Sequence, residues 1–355
     1  MTLQTLQPNN FRSYKEAGFE FSSRLNLILG PNGSGKTNLL EAIYVLANIN
    51  SWRARDKDLV NYRADFYKLT GDFSGKTAAI SYQLTSRGPL KQLIYSGNPL
   101  KSRDYLGKTG VVLFEPGSLN IIIGTPADRR RWLNQVLATT SPKYLASLLK
   151  YSRVLKQRNA LLRRQRQEAI NDQIFAWDVS LVEAATNLVK IRQRFVDFID
   201  KQASNCYQSL AGKKTAISLK YVSDVELKDY PTSFLNKLEA NIRRDTKLGF
   251  TGSGPHRDDV AISFDHKPAH LSASRGEIRT LVLAMKLIEP DWLKKISRSK
   301  SSPILLFDDV FSELDAARRQ FALDQLKNMQ IFITTTDIKG LKPNLPKIHQ
   351  IIKTG

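Results

Sequence analysis

The chain has 355 residues, more than one compact core usually holds, so one large domain with an insertion, or two domains, is expected. Its 54 Lys+Arg against 33 Asp+Glu leave a net charge of +21, which suggests a polyanionic partner, the plainer reading being simple solubility. A single cysteine, Cys206, excludes a disulfide framework and a thiolate metal cluster; with no signal-like leader and no membrane-length apolar run, a reduced cytoplasmic protein without a membrane partner is expected.

Residues 3–30 read as two strands around a turn, with Asn10-Phe11-Arg12-Ser13-Tyr14 in the connection. Arg12 is near enough in sequence to the next motif to touch phosphate; a surface arginine beside two packing aromatics is the equal alternative. Leu25-Asn26-Leu27-Ile28-Leu29 reads as a buried strand and runs into Gly30-Pro31-Asn32-Gly33-Ser34-Gly35-Lys36-Thr37. Behind the loop, Asn38 to Leu46 is apolar at helical spacing. Strand, glycine loop and helix in that order make a phosphate-binding loop: the backbone N–H groups and the helix start face phosphate oxygens. Lys36 then reaches the β- and γ-phosphates and the Thr37 hydroxyl ligates Mg²⁺, so a nucleoside triphosphate is the expected ligand.

Residues 66–112 alternate short β-like runs with turn signals such as Arg87-Gly88-Pro89 and Ser96-Gly97-Asn98-Pro99, as an antiparallel sheet would. Val111-Val112-Leu113-Phe114 is a further buried strand, ended by Glu115-Pro116-Gly117. From Asp128 to Asp200 long helices are expected, and Leu181, Ala185, Leu188, Arg192, Phe195 and Ile199 form a mostly apolar stripe. Between Lys143 and Arg166 stand eight basic residues and no acidic one, Lys150, Arg153, Lys156, Arg158, Arg163 and Arg164 among them. A run of like charge is often only a solvated face; the absence of a compensating carboxylate favours phosphate contact here, and these six are the expected DNA-contacting residues.

Residues 215–270 return to mixed structure, with a polar turn Thr251–Asp259 in which His256 is expected to be structural. Ser274 stands three residues before Glu277 ahead of an apolar helix, a capping box that also presents a hydroxyl and N–H groups to an anion. Pro303 to Phe307 is an apolar strand ending in Asp308 and Asp309. Asp308 is expected in the Mg²⁺ shell, and Asp309 is expected to polarise the attacking water. Ser312-Glu313-Leu314-Asp315, a basic helix with Arg318 and Arg319, and a strand Gln330–Asp337 follow.

In this order the motifs resemble ATP-binding-cassette heads of the branch that contains SMC proteins, and the RecF family most closely. The RecF-like stretches are Asn10–Tyr14, Gly124-Thr125-Pro126-Ala127-Asp128-Arg129-Arg130, Gly254-Pro255-His256-Arg257-Asp258-Asp259 and Asp308–Asp315. The resemblance implies an α/β fold: a P-loop ATPase head of residues 1–127 and 241–355, carrying an antiparallel β subdomain, with an inserted helical lobe of residues 128–240. It implies an ATP-dependent homodimer with nucleotides sandwiched between heads, binding to double-stranded and gapped DNA, weak DNA-stimulated ATP hydrolysis, and work with RecR and RecO to place RecA. Gly30 to Asn38 and Arg12 would then hold ATP, Thr37 and Asp308 Mg²⁺, Lys36 and Asp309 would serve hydrolysis, and Ser274, Gly276 and Asp315 would act across the dimer.

The chain departs from these patterns at several positions. Arg275 stands where transporter cassettes have glycine, Asp309 where fast cassettes have glutamate, and Asn134 where RecF-like chains usually have aspartate. Glu115 lies near the place of the Q-loop glutamine, and Thr336 and Asp337 lie near that of the switch histidine. These departures argue against the motor subunit of a membrane transporter. The other alternative is a clamp that binds ATP without hydrolysing it, against which Asp309 argues.

Overall fold

The computed structural model describes residues 1–164, 171–296, 302–311, 314–337 and 349–354. Arg166 of the basic run, and Ser312 and Glu313, lie outside the described residues. The chain divides into two compact units, one of Met1–Ser118, Cys206–Lys213 and Thr280–Gly355, the other of Leu119–Asn205 and Lys214–Arg279. Residues 241–279, expected in the head, therefore group with the helices of the second unit.

The first unit holds two sheets. Five parallel strands stand in the order His349–Lys353, Leu25–Leu29, Gln330–Thr335, Ile304–Phe307 and Val111–Phe114. The inner ones are apolar runs, as strands covered on both faces must be. An antiparallel sheet pairs Leu3–Phe11 with Phe66–Phe73, which continues into Thr77–Thr85 and Gly88–Tyr95. The helix Lys36–Asn48 touches strands of both sheets, and nearly every one of its residues from Leu39 on is buried. That one helix joins the two sheets into a single apolar core.

The second unit is built on the helices Pro126–Thr140, Pro142–Arg164 and the long Asn171–Ala211 as far as Asn205, beside an antiparallel sheet that pairs Ile217–Val222 with Asp259–Phe264. Thr125 and Asp128 close a capping box on the first of these helices, with Pro126 at its first position. The stripe Leu181, Ala185, Leu188, Arg192, Phe195, Ile199 is buried throughout, the arginine included. Among the described residues no helix is long and apolar enough to cross a membrane.

Candidate functional site

Three adjacent strands of the parallel sheet deliver the candidate site. Leu25–Leu29 leads into the glycine loop, Ile304–Phe307 into Asp308 and Asp309, and Gln330–Thr335 supplies Thr334 between them. The loop is tightly specified. A Cβ on Gly30 would collide with Thr354 O and sit 2.5 Å from Ser34 Oγ, and Gly35 caps the helix at φ 95°, in the left-handed region open to glycine. Lys36 folds back across the loop, its Nζ donating to Gly30 O at 2.8 Å and Pro31 O at 2.9 Å, which holds the ammonium at the loop's mouth.

The two halves of the motif meet at Asp308. Its Oδ1 accepts from Thr37 Oγ1 at 2.9 Å and from Thr334 Oγ1 at 2.9 Å. Burial pushes the Asp308 carboxyl above its usual range, with the Asp309 charge adding to this; the two hydroxyls and the Arg53 charge oppose it. One hydroxyl and one carboxylate side by side fit Mg²⁺, which takes few protein ligands and completes its shell with water and phosphate oxygens. Asp309 is exposed at φ 55°, and its N–H donates to Thr334 Oγ1 at 2.8 Å. Glu115 follows the neighbouring strand, accepts from Gly117 N at 2.6 Å, and is raised by burial and by the nearby Asp308 charge.

Beside the loop opens a cleft of about 600 Å³ lined by Arg12, Ser13, Asn38, Arg53, Asp58 and Tyr62, with Ala54 and Val60. Arg12, which the sequence left open between phosphate contact and a surface role, has a buried partner. Its guanidinium is bidentate on Glu41, Nε–Oε2 2.8 Å and Nη2–Oε1 3.0 Å. Glu41 is fully buried on the helix that follows the loop, and also accepts from Arg53 Nη2 at 2.8 Å and Ser51 Oγ at 2.6 Å. Burial alone would raise this carboxyl; the two arginines and the serine outweigh it and hold Glu41 below the ordinary carboxylate range. Arg53 Nη2 also donates to Asn38 Oδ1 at 2.8 Å, and Asn38 Nδ2 to Ser13 Oγ at 2.9 Å, so the cleft is wired to the first turn of the helix. The reading of the sequence missed Glu41, Arg53 and Thr334. A lone carboxylate inside an otherwise apolar helix was the available signal for the first two, because a buried charge needs partners.

Ser274 and Gly276 lie exposed at the start of the helix Arg275–Ile296. Ser274 N donates to Glu277 Oε2 at 2.9 Å and Glu277 N to Ser274 Oγ at 3.3 Å, so the capping box is formed. Asp315 is likewise exposed and caps its own helix, accepting from Arg318 N at 2.8 Å.

The expected DNA-contacting residues do not form one face. Arg158 is fully buried: Nε pairs with Asp178 at 2.5 Å, and Nη1 with Asp245 at 2.8 Å and Thr251 Oγ1 at 2.9 Å. It cannot touch a phosphate and is removed from the set. Lys150 is paired with Glu183 at 2.6 Å, both side chains partly in solvent. The compensating carboxylates absent from the basic stretch thus arrive from other segments. Arg153, Lys156, Arg163 and Arg164 are exposed.

The remaining motifs form a clamp within the second unit. Arg129 is bidentate on Asp259, at 2.6 and 2.9 Å, and Arg130 Nη1 donates to Asp258 O at 2.9 Å. Buried Arg192 donates to Pro255 O at 2.7 Å and to Asn134 Oδ1 at 2.9 Å, and Tyr144 OH donates to the same Asn134 oxygen at 2.6 Å. Asn134 thus serves here as a neutral acceptor. His256 is structural, as expected. Its Nε2 donates to Thr251 O at 3.0 Å, Nδ1 accepts from Tyr151 OH at 2.6 Å, and burial lowers its pKa.

A family profile described as the RecF/RecN/SMC N terminal domain matches residues 2–68. The chain is 38% identical over 363 residues to the DNA replication and repair protein RecF of Streptococcus gordonii, covering 99% of this chain and 98% of that protein. It is 35% identical to the RecF of Leptospira interrogans, covering 98% and 95%. Among solved structures, the recombination mediator protein RecF-ATP in the RecFOR pathway superposes with a TM-score of 0.87 at 29% identity, covering 95% of this chain and 92% of that one. An SMC head bound to the C-winged helix domain of ScpA matches at a TM-score of 0.54 and 18% identity, covering 99% and 94%, a likeness of fold.

Proposed function

The chain belongs to the RecF family, and from that premise we propose that it is an ATP-driven DNA-binding switch in the repair of gapped DNA. ATP and Mg²⁺ would draw two copies together on duplex DNA and at single-strand/double-strand junctions, and slow hydrolysis would release them. RecR and RecO would be its companions in placing RecA. The observation that carries the nucleotide half of this reading is the hydrogen bond from Thr37 to Asp308, which sets the two Mg²⁺-ligand candidates from opposite ends of the chain side by side. Lys36 would bind the β- and γ-phosphates, with the loop amides around them. Arg12 and Arg53, fixed by Glu41, line the cleft next to them. Ser274, Gly276 and Asp315 would act on the nucleotide held by the other copy; their exposure is compatible with that role. The net charge of +21 supports a polyanionic partner.

Asp309 would orient the attacking water, and its replacement separates a hydrolysing switch from a clamp. Asp309→Asn should bind MgATP like the wild type and release phosphate about a hundredfold more slowly, the low end of the usual scale for a positioned general base. Equal, slow release from both proteins in a multiple-turnover assay would remove hydrolysis from the cycle.

A further inference from the structure

At one end of the second unit, two segments far apart in sequence are stitched together. Asn159 Oδ1 accepts from Thr251 N and Oγ1 at 2.8 and 2.7 Å, Arg158 reaches across to Asp245, and Asp245 also accepts from Gly252 N at 3.0 Å. Gly249 ends the short helix Ile242–Leu248, and Arg163 packs on it so closely that an added Cβ would lie 3.0 Å from Arg163 Cγ. Asp245 is thereby turned inward, leaving Arg243, Arg244 and Lys247 of the same helix exposed. Phe250 follows, 37% exposed, with the exposed Arg257 guanidinium 5.2 Å from its ring centroid. None of these five cations forms an ion pair among the described residues; Arg163 Nε donates to Asn159 O.

A solvated face would mix signs, because uncompensated like charges repel. Here two of the nearby carboxylates, Asp178 and Asp245, are spent on Arg158 inside the unit, and the exposed Glu239, near enough to Asp178 to raise it, is a single acid beside five cations. A cationic surface beside a partly exposed aromatic has the chemistry of a single-strand platform, in which cations follow the phosphates and a π-face takes a base. We propose that this surface binds an unpaired nucleic-acid strand, with Arg163, Arg243, Arg244 and Lys247 on the backbone and the Phe250–Arg257 pair stacking a base. The inference rests on the reading above only in expecting a nucleic acid. It uses none of the ATP motifs, so the strand should bind without nucleotide.

The test is equilibrium binding of labelled oligo-dT and of a blunt duplex to the full chain, without ATP, over a salt series. Phe250→Ala should weaken oligo-dT about tenfold, as the loss of one stacked base would, and change duplex binding less than about twofold. Phe250→Trp, which keeps an aromatic plane, should retain the affinity. Replacing Arg243 and Arg244 by Ser should flatten the oligo-dT salt slope by about 1.4, the value for two lost phosphate contacts. Unchanged oligo-dT binding in all variants would overturn the proposal. It would also fall if the charge variants weakened binding while Phe250→Ala did not, the outcome expected of an acidic protein segment or a duplex backbone. ATP-driven assembly, followed separately by sedimentation, should be untouched by these substitutions; its absence from the wild type would contradict the switch and leave this surface standing.

Discussion

Glu41 shows how one residue organises the candidate site. A carboxylate with no solvent exposure is tolerated because Arg12 and Arg53 converge on it, and the same pairing fixes both guanidinium groups on the cleft wall. Removing one partner of a buried ion pair leaves the other charge uncompensated. Glu41→Gln should therefore cost about 3 kcal/mol of stability, with both arginines partly in solvent keeping it at the low end of the range. Because the folded-state pKa is depressed, this stabilisation is complete above the usual glutamate value and is lost as pH falls through the folded value. The melting curves of wild type and variant should differ most near neutral pH and converge below about pH 4. A constant difference across that range would mean that packing, not charge, is at stake. Asp308 has the opposite sign: burial raises it, so acidification protonates it before an ordinary carboxylate. Mg²⁺ affinity measured with ATP present should fall on mild acidification, and Asp308→Asn should make that fall shallower, leaving the part that free ATP shows on its own. The sequence made Lys36, Thr37 and Asp308 legible, since strand–loop–helix spacing constrains them locally. Arg12 was ambiguous because its partner lies 29 residues away, on a helix whose only charged residue past its first turn is Glu41.

At the scale of elements, the helix Pro142–Arg164 shows where reading charge along the chain fails. Its arginines look alike in sequence, yet Arg158 is the buried centre of a three-segment pin while Arg153 and Lys156 remain exposed. Helical periodicity could have hinted at this, because Tyr151, Val154, Arg158 and Leu162 share the buried face. The carboxylates that answer Arg158 come from residues 178 and 245, and no local count reveals them. Arg158→Ala should destabilise the protein by about 3–5 kcal/mol while the salt slope of DNA binding, measured below the melting temperature, stays as in the wild type. Replacing Arg153 and Lys156 by Ser should do the reverse, with melting unchanged and the duplex slope shallower by about 1.8. The RecF-like stretches 124–130 and 254–259 were recognisable as motifs. Their mutual contacts, Arg129 on Asp259 and Arg130 on Asp258 O, required the fold.

At the scale of the whole molecule, the linear order of motifs was enough to name the fold. The parallel sheet then explains why residues from positions 30, 115, 308 and 334 converge: they end neighbouring strands on the same edge. The boundary at residue 240 was not legible, because 241–279 contributes a strand and a clamp to the helical unit that composition alone does not assign. The proposed switch has ATP join two copies on DNA through the exposed serine that opens the helix Arg275–Ile296. It is tested most directly by sedimentation and duplex binding, with and without MgATP, for the wild type and Ser274→Arg. The substitution sets a bulky cation at the start of that helix and leaves Lys36 and its loop untouched. MgATP should convert the wild type to a DNA-bound dimer, while the variant should bind ATP with wild-type affinity and stay monomeric. A variant that dimerises as the wild type does, or a wild type whose assembly and DNA binding ignore MgATP, would contradict the switch.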